Sequence, residues 1–466
     1  VYFEYEQHLS VGDIAFDADI RGLKVVHLGV GSFLLSATGL NGGLVSYQLG
    51  PDGAVRGIAG QQIFLQGEGT SAGGMMDVVA SGSGASLVLA GGRSTGLVQY
   101  ELTAQGGITS GASTVGSSGS SGAVAYVLSE GEGAAVFYRV ERDSGQVLRY
   151  TQNGSGDLHA DTGPMDPVVL EGVTALKTVV VGGNPFLLAA QAATQGISSY
   201  RINDTTGVLT YADGIGAEQG LGIHAPTSFE TLTVFGKTWV VLGSAGTSTL
   251  SVMSLSATGQ LEAVDHVMDT LETRFGGVPS VAITQVEDRA FIIAGGADDG
   301  LSLFTLLPDG RLLHLESIPH RIGTGLMNVG QIETAVMGDK VQIFVSSSVD
   351  QGISRFTIDL SELGQTLRGD LDGAATIRGG NADDLLVAGA NDTLWGGAGD
   401  DILQGAAGAQ LNGGAGADLF VVGDIVGTVH IQDFDPDTDR LDLSSLFMLR
   451  SAAQLNIALK CLGRLH

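Results

Sequence analysis

The sequence predicts an all-β chain in two parts: a seven-bladed β-propeller over residues 1–368, then a short parallel β-roll within residues 369–466. Three observations predict it. One strand pattern recurs seven times in the first part, at a mean interval of about 52 residues. A nonapeptide of the form G-G-x-G-x-D-x-U-x, with U large and apolar, starts at Gly379, Gly396 and Gly413. Glycine makes up 73 of 466 residues and aromatics only 6%, which favours many short strands joined by tight turns.

The recurring strand occupies residues 43–49, 96–102, 134–140, 196–202, 249–255, 300–306 and 352–358. Its fifth residue is Tyr47, Tyr100, Tyr138, Tyr200, Met253, Phe304 and Phe356, which is expected to pack between units. One interval is short at 38 and the next long at 62; their sum of 100 spans two units, so a boundary has slipped and no unit is lost. An apolar strand precedes each copy, as at residues 33–37, 186–190 and 291–294. A turn and a further strand follow each copy. Asp52-Gly53, Thr206-Gly207 and Asp309-Gly310 are hairpin turn signals. A fourth strand lies upstream, clearest at residues 176–183 and 281–286. Four antiparallel strands per unit make a propeller blade. One blade cannot bury both faces alone, but seven around an axis can, and closure protects the edges. Residues 13–20 are expected to help close the ring near the last blade, whose own final strand is expected at residues 363–367.

The three nonapeptides are 17 residues apart, and the weaker units at Ala388 and Gly405 keep the same interval. Two half-turns of eight and nine residues therefore make one coil, and the full motifs stack along one edge. Glycine there allows positive φ and exposes carbonyl oxygens. Calcium takes six to eight oxygen ligands, and the aspartate at position six supplies charge: Asp384, Asp401 and Asp418. Two sites are expected. One lies between Gly380, Ala382, Asp384 and Gly396, Ala398, Asp401; the other lies between Gly397, Gly399, Asp401 and Gly413, Ala415, Asp418. Ala382 stands where the motif has glycine, which weakens the first site. The opposite edge carries Ala375, Asp392 and Ala409 at the equivalent positions and is expected to lack a full site. Ile377, Leu386, Leu394, Leu403, Leu411 and Phe420 are the expected core.

These repeats resemble the RTX, or haemolysin-type calcium-binding, repeats of proteins exported by type I secretion. Residues 430–448 resemble the module that follows such repeats in serralysin-like proteins, where an Asp-Phe pair and a later Asp-x-Leu-Asp-Leu-Ser close the roll. Asp433 and Asp442 match those positions, and the resemblance implies a further calcium there. Asp435, Asp437 and Asp439 read as solvated loop charges. The resemblance implies the type I secretion machinery as a partner, an export signal after Met448, and an extracellular or cell-surface location in a Gram-negative bacterium. The blade pattern strand–Gly–Leu-x-x-Tyr-x-Leu–turn resembles the lactonase-like seven-bladed propellers, some of which open sugar lactones.

Composition narrows the function. A formal charge of −28 argues against nucleic acid and bare anionic membranes as partners. The single cysteine, Cys461, excludes an internal disulfide. No run of about 18 apolar residues marks a transmembrane helix. The first ten residues lack the basic and apolar regions of a signal peptide. None of the nine histidines forms His-Glu-x-x-His, and no Gly-x-Ser-x-Gly elbow occurs in a strand–helix setting. The expected role is therefore a binding or structural module, such as an adhesin, surface-layer or appendage component, with a surface protein or glycan as partner. The alternative is a secreted lactonase-like hydrolase. Its channel mouth would draw on His224, Glu230, Glu272, Arg274, His320 and Arg321.

Overall fold

A computed structural model describes residues 2–39, 41–64, 76–81, 84–90, 97–115, 123–129, 136–141, 144–152, 158–160, 168–369, 373–423 and 427–446. The expected export signal after Met448 lies outside the described residues. Two compact units are present, Tyr2–Asp359 and a second from Leu360 onward.

The first unit is a β-propeller. Among the described residues it comprises seven four-stranded antiparallel sheets. Six are simple meanders, over residues 20–63, 76–115, 123–160, 173–216, 226–268 and 280–319. The seventh joins residues 329–359 to Phe3–Leu9, which pairs antiparallel with Ile353–Asp359. Opening strands neighbour one another around the ring, except that Ala123–Ser129 meets the second sheet at Gly84–Ala90, and Val329–Met337 lies back against Ile20–Leu28, so the ring closes. Strands dominate because the second and third strand of each sheet carry runs of β-branched and aromatic residues, such as Ile343-Phe-Val and Trp239-Val-Val-Leu. Sheets packed on both faces need such runs on their central strands.

Three expectations are corrected. Residues 13–20 do not close the ring; Asp13 caps a short helix, Ile14–Asp17, and Ile20 opens the first sheet. The closing strand is Phe3–Leu9. Leu363–Arg368 is not the last strand of the seventh sheet but pairs in parallel with Asp383–Val387 in the second unit. In the third sheet the recurring strand is Val147–Gln152, while Val136–Glu141, with Tyr138, is the strand before it. Both segments alternate apolar and aromatic residues, so pattern alone cannot order them. Tyr150 restores an even series with Tyr100 and Tyr200. Tyr47, Tyr100, Tyr150, Tyr200, Met253, Phe304 and Phe356 are all buried.

Turn glycines join neighbouring sheets. Gly259 and Gly310 have φ of 86° and 94° and lie against Phe186 and Trp239 of the preceding sheet. A side chain at either would need left-handed backbone and would collide with the ring beneath it.

The second unit is a parallel β-solenoid. One sheet orders Leu363–Arg368, Asp383–Val387, Ile402–Gly405, Leu419–Val422 and Arg440–Asp442; the other orders Thr376–Arg378, Thr393–Ala398, Gln410–Ala415 and His430–Ile431. Leu385 faces Ile402 and Ile402 faces Leu419, so the coil length is 17. Leu386, Leu394, Leu403, Ala409, Leu411 and Phe420 form a thin buried core, with Ile377 and Phe434 packed on it.

Candidate functional site

The solenoid turns place the three motif aspartates in one column. Asp384, Asp401 and Asp418 are all buried. Each holds the coil before it through a backbone N–H. Gln365 donates to Asp384 Oδ1 at 2.6 Å, Asp384 to Asp401 Oδ1 at 2.8 Å, and Asp401 to Asp418 Oδ1 at 3.0 Å. The column does not end at Asp418. Its N–H donates to Asp439 Oδ1 at 3.0 Å, so Asp439 is a fourth rung and not a solvated charge. A second, shorter column runs beside it, with Asp400 N–H donating to Asp383 and Ala417 N–H donating to Asp400, each at 2.8 Å.

The loops between these aspartates differ. Gly397, Gly399, Gly414 and Gly416 have φ of 123°, 113°, 109° and 139°. The loop of residues 379–384 contains no positive φ. At position 382 the alanine side chain disfavours the conformation that Gly399 and Gly416 adopt. Gly380 O accepts from Ala398 N–H and Ala415 O from Gly399 N–H, each at 3.0 Å. Gly396 and Gly413 occupy corresponding places at the tops of their loops. A Cβ on Gly396 would collide with Asp401 Oδ2 and Gly413 O, and one on Gly413 with Asp418 Oδ2. Carboxylate and carbonyl oxygens thus converge over the glycine backbone.

Asp401 Oδ2 is buried and has no hydrogen-bond partner. Burial, then the neighbouring charges of Asp418, Asp384 and Asp383, push its carboxyl up to about 7 despite the Asp384 N–H bond. Asp418 is pushed up to about 6, by burial first and then by Asp439, Asp433 and Asp400, again against a backbone hydrogen bond. Such a stack of carboxylates is short of positive charge. Among the described residues, no group of three or more His, Cys, Asp or Glu side chains forms a metal cluster. Any cation here would therefore rely on backbone carbonyls together with one or two carboxylates.

The remaining expected ligands separate. Asp433 accepts from Gly413 and Gly414 N–H, both at 2.9 Å, and so sits on the third loop. Asp442 lies elsewhere and accepts from Ser444 N–H at 2.8 Å. On the opposite edge both oxygens of Asp392 are occupied, by Ala375 N–H at 2.7 Å and Gly389 N–H at 2.6 Å.

In the propeller, the six mouth candidates make no hydrogen bond or ion pair with one another among the described residues. His320 Nδ1 lies 3.8 Å from Asp350 but accepts from Leu326 N–H at 3.1 Å. Arg274 donates to Thr273 O at 3.2 Å. Glu272 and Arg321 are exposed, and His224 lies beside Gly246. Glu230 is on an opening strand, paired with Lys177. No helix among the described residues is long and apolar enough to cross a membrane.

No family model matches the chain. No curated protein matches it either. Solved structures do. A periplasmic gluconolactonase of Pseudomonas aeruginosa is 16% identical, with a TM-score of 0.48, over 73% of this chain and 96% of that one. A protein from Lactobacillus plantarum is 12% identical, with a TM-score of 0.45, over 68% and 95%. The Dos1 propeller is 8% identical, with a TM-score of 0.47, over 76% and 82%.

Proposed function

We propose that this chain is an exported, calcium-binding protein of the cell surface, with a seven-bladed propeller as a binding or structural module and a solenoid that folds on calcium. The observation that carries the reading is the unpartnered, buried Asp401 Oδ2 within a column of stacked carboxylates. A hard cation satisfies both the orphaned oxygen and the repulsion that raises Asp401 and Asp418. Asp384, Asp401 and Asp418 would supply the charge. Gly380, Ala382, Gly396, Gly397, Ala398, Gly399, Gly413 and Ala415 form the backbone of the loops that would supply carbonyls. Asp433, held on the third loop, is the candidate for a further site; Asp442, engaged with Ser444, is less suited to it.

Bound calcium supplies the positive charge that this edge lacks. Without it, the column's repulsion acts against a thin core centred on Leu386, Leu394, Leu403, Leu411 and Phe420. The solenoid would then stay unfolded in the low calcium of a cytosol and fold outside, after passage through a type I secretion system. The propeller would present its loops to a surface protein or glycan.

Calcium titration of the full chain, followed by circular dichroism, tests this. Calcium is expected to raise the solenoid's unfolding midpoint. Asp401→Ala, which touches both expected sites, is expected to weaken that response at least about tenfold. An unchanged response would sink the reading. Deleting residues 1–359 is expected to abolish surface attachment and leave calcium binding intact.

A second reading, a secreted lactonase-like hydrolase, is favoured by Glu230 standing among charged residues on the propeller's opening strands. Lactone turnover by the purified chain, lost in Glu230→Gln, would establish it in place of the binding role.

A further inference from the structure

Strands alternate in direction within each sheet. The turns between second and third strands therefore share one face of the ring with the connections that lead to the next sheet. Over the fifth to seventh sheets these loops are bonded into one surface. Asp269 N–H donates to Ser248 O at 2.9 Å, and Gly276 N–H donates to Asp298 Oδ1 at 3.0 Å. His320 N–H donates to Asp299 O at 2.8 Å, and Asn328 N–H to Asp299 Oδ1 at 2.7 Å. Met327 N–H donates to Asp350 Oδ2 at 3.0 Å, and Gly352 N–H to Asp17 O at 2.7 Å. Residues 245–248, 269–279, 297–299, 320–328, 348–352 and 10–19 thus hold one another in order around the ring.

Each of the three connections here has one apolar anchor turned in and one apolar side chain turned out. Phe16, Phe275 and Leu326 are buried, whereas Ile14, Leu271 and Ile322 are exposed. Leu271 is 92% exposed and Ile322 fully so, which means that neither packs on its own loop. Val349, on the turn beside Ile322's loop, is also exposed. The connection one sheet earlier, residues 217–225, buries both of its aliphatic side chains, Leu221 and Ile223. The aliphatic tips are therefore a feature of this sector and not of every such loop. Exposed apolar side chains gathered on one surface mark interaction sites.

The same sector is acidic. Asp13, Asp19, Asp269, Glu272, Asp299 and Asp350 stand on these loops, against Arg274 and Arg321. Burial, then the charge of Asp269, pushes the Asp298 carboxyl above its ordinary value, as expected where positive charge is scarce. A partner must therefore bring aliphatic side chains and positive charge together. This chain contains such a segment. Residues 449–466 carry Arg450, Lys460 and Arg464 and no acidic residue, in a chain of net charge −28. Leu455, Ile457, Leu459, Leu462 and Leu465 supply the aliphatic groups.

We propose that this loop face docks residues 449–466 of a second copy of the chain. The segment's aliphatic side chains pack on Leu271, Ile322, Val349 and Ile14, and its basic groups meet the surrounding carboxylates. Face and segment are different surfaces, so the contact is heterologous. Each added copy leaves one face and one segment free, and copies join head to tail. The proposal rests on the binding-module reading of the propeller and names the partner. If association fails while the propeller still carries surface attachment, only this proposal falls.

The test is sedimentation velocity of the full chain in saturating calcium, over a rising protein concentration. Species heavier than one copy are expected. A synthetic peptide of residues 449–466, made with Cys461→Ser, is expected to disperse them. The double variant Leu271→Ser, Ile322→Ser is expected to weaken association at least about tenfold. Its thermal unfolding is expected to match the parent's, since both side chains lie in solvent. Glu272→Lys is expected to weaken association as well, by a margin that shrinks at high salt. A peptide of the same composition in shuffled order is expected to have no effect. The proposal is overturned if the chain stays monomeric, even where the peptide binds it. It is equally overturned if the double variant associates as the parent does, or if the shuffled peptide disperses the assemblies as well as the native one.

Discussion

Asp439 accepts hydrogen bonds from two backbone N–H groups, those of Asp418 and Asp435, whereas Asp442 accepts one, from its near neighbour Ser444. Hydrogen bonds to charged groups contribute about 1.5–3 kcal/mol each. With two such bonds at the lower end of that range, Asp439→Ala is expected to destabilise the solenoid by roughly 3 kcal/mol, and Asp442→Ala by about half as much, as read by chemical denaturation in saturating calcium. The sequence made Asp384, Asp401 and Asp418 legible because they sit at a fixed motif position. Asp439 was not legible: it follows Asp418 by 21 residues, not 17, and only the fold shows that the longer connection ends on the same column. Glu333 carries a pH prediction. Burial pushes its carboxyl up to about 7 in the folded protein, above the ordinary value of 4.5. The folded state therefore binds the proton more tightly than the unfolded chain. The stability this contributes is full below about pH 4.5 and is lost as pH rises through about 7. The propeller's midpoint is expected to fall across that window, more steeply in the parent than in Glu333→Gln. Equal slopes in the two proteins would refute this assignment. Lys24, Lys177 and Glu230 remain in the variant, so the comparison isolates Glu333.

At the scale of single elements, the turn glycines and the closing strand matter most. Gly310 lies over Trp239 with a φ of 94°. Gly310→Val adds a β-branched side chain where left-handed backbone is required and the space is filled. A loss of about 2–4 kcal/mol is expected by denaturant titration, because strain and overpacking combine. The strand Phe3–Leu9 is held to the seventh sheet by more than its ladder. Lys340 reaches Glu4 at 3.3 Å and Glu6 at 3.4 Å, and Thr357 donates to Glu6 at 2.9 Å. Burial pushes Glu6 up, but Thr357, Arg355 and Lys340 together hold it below the usual carboxylate range. Removing residues 2–9 leaves Ile353–Asp359 as an open edge. The truncated chain is expected to lose cooperative unfolding of the propeller and to aggregate on heating, which light scattering would reveal. The recurring strand was readable from its aromatic position in six of seven copies. The closing strand was not, since residues 3–9 are mostly exposed on one side and carry charge where an inner strand carries apolar residues.

The whole molecule joins two units whose stability has different sources. The propeller buries apolar residues on both faces of its sheets. The solenoid has a thin core and a buried column of aspartates. Scanning calorimetry is expected to show two transitions, only one of which moves with calcium in the submillimolar-to-millimolar range typical of extracellular sites. A single transition, or two that move together, would mean that the units do not unfold independently. The two-part architecture was legible because each part repeats at its own period. The junction was less so: Leu363–Arg368 has a strand-like pattern that suits either unit, and only its parallel pairing with Asp383–Val387 assigns it.

The aspartate column has a direction. Each rung's N–H is held by the carboxylate of the coil that follows it in the chain, from Asp384 to Asp401, then Asp418, then Asp439. A growing chain makes these residues in that same order. No coil can therefore finish its own bonding until its successor has been synthesised, and the last bond waits for Asp439. Bonding along this edge is thus completed from the start of the column toward its end, and only when Asp439 is in place.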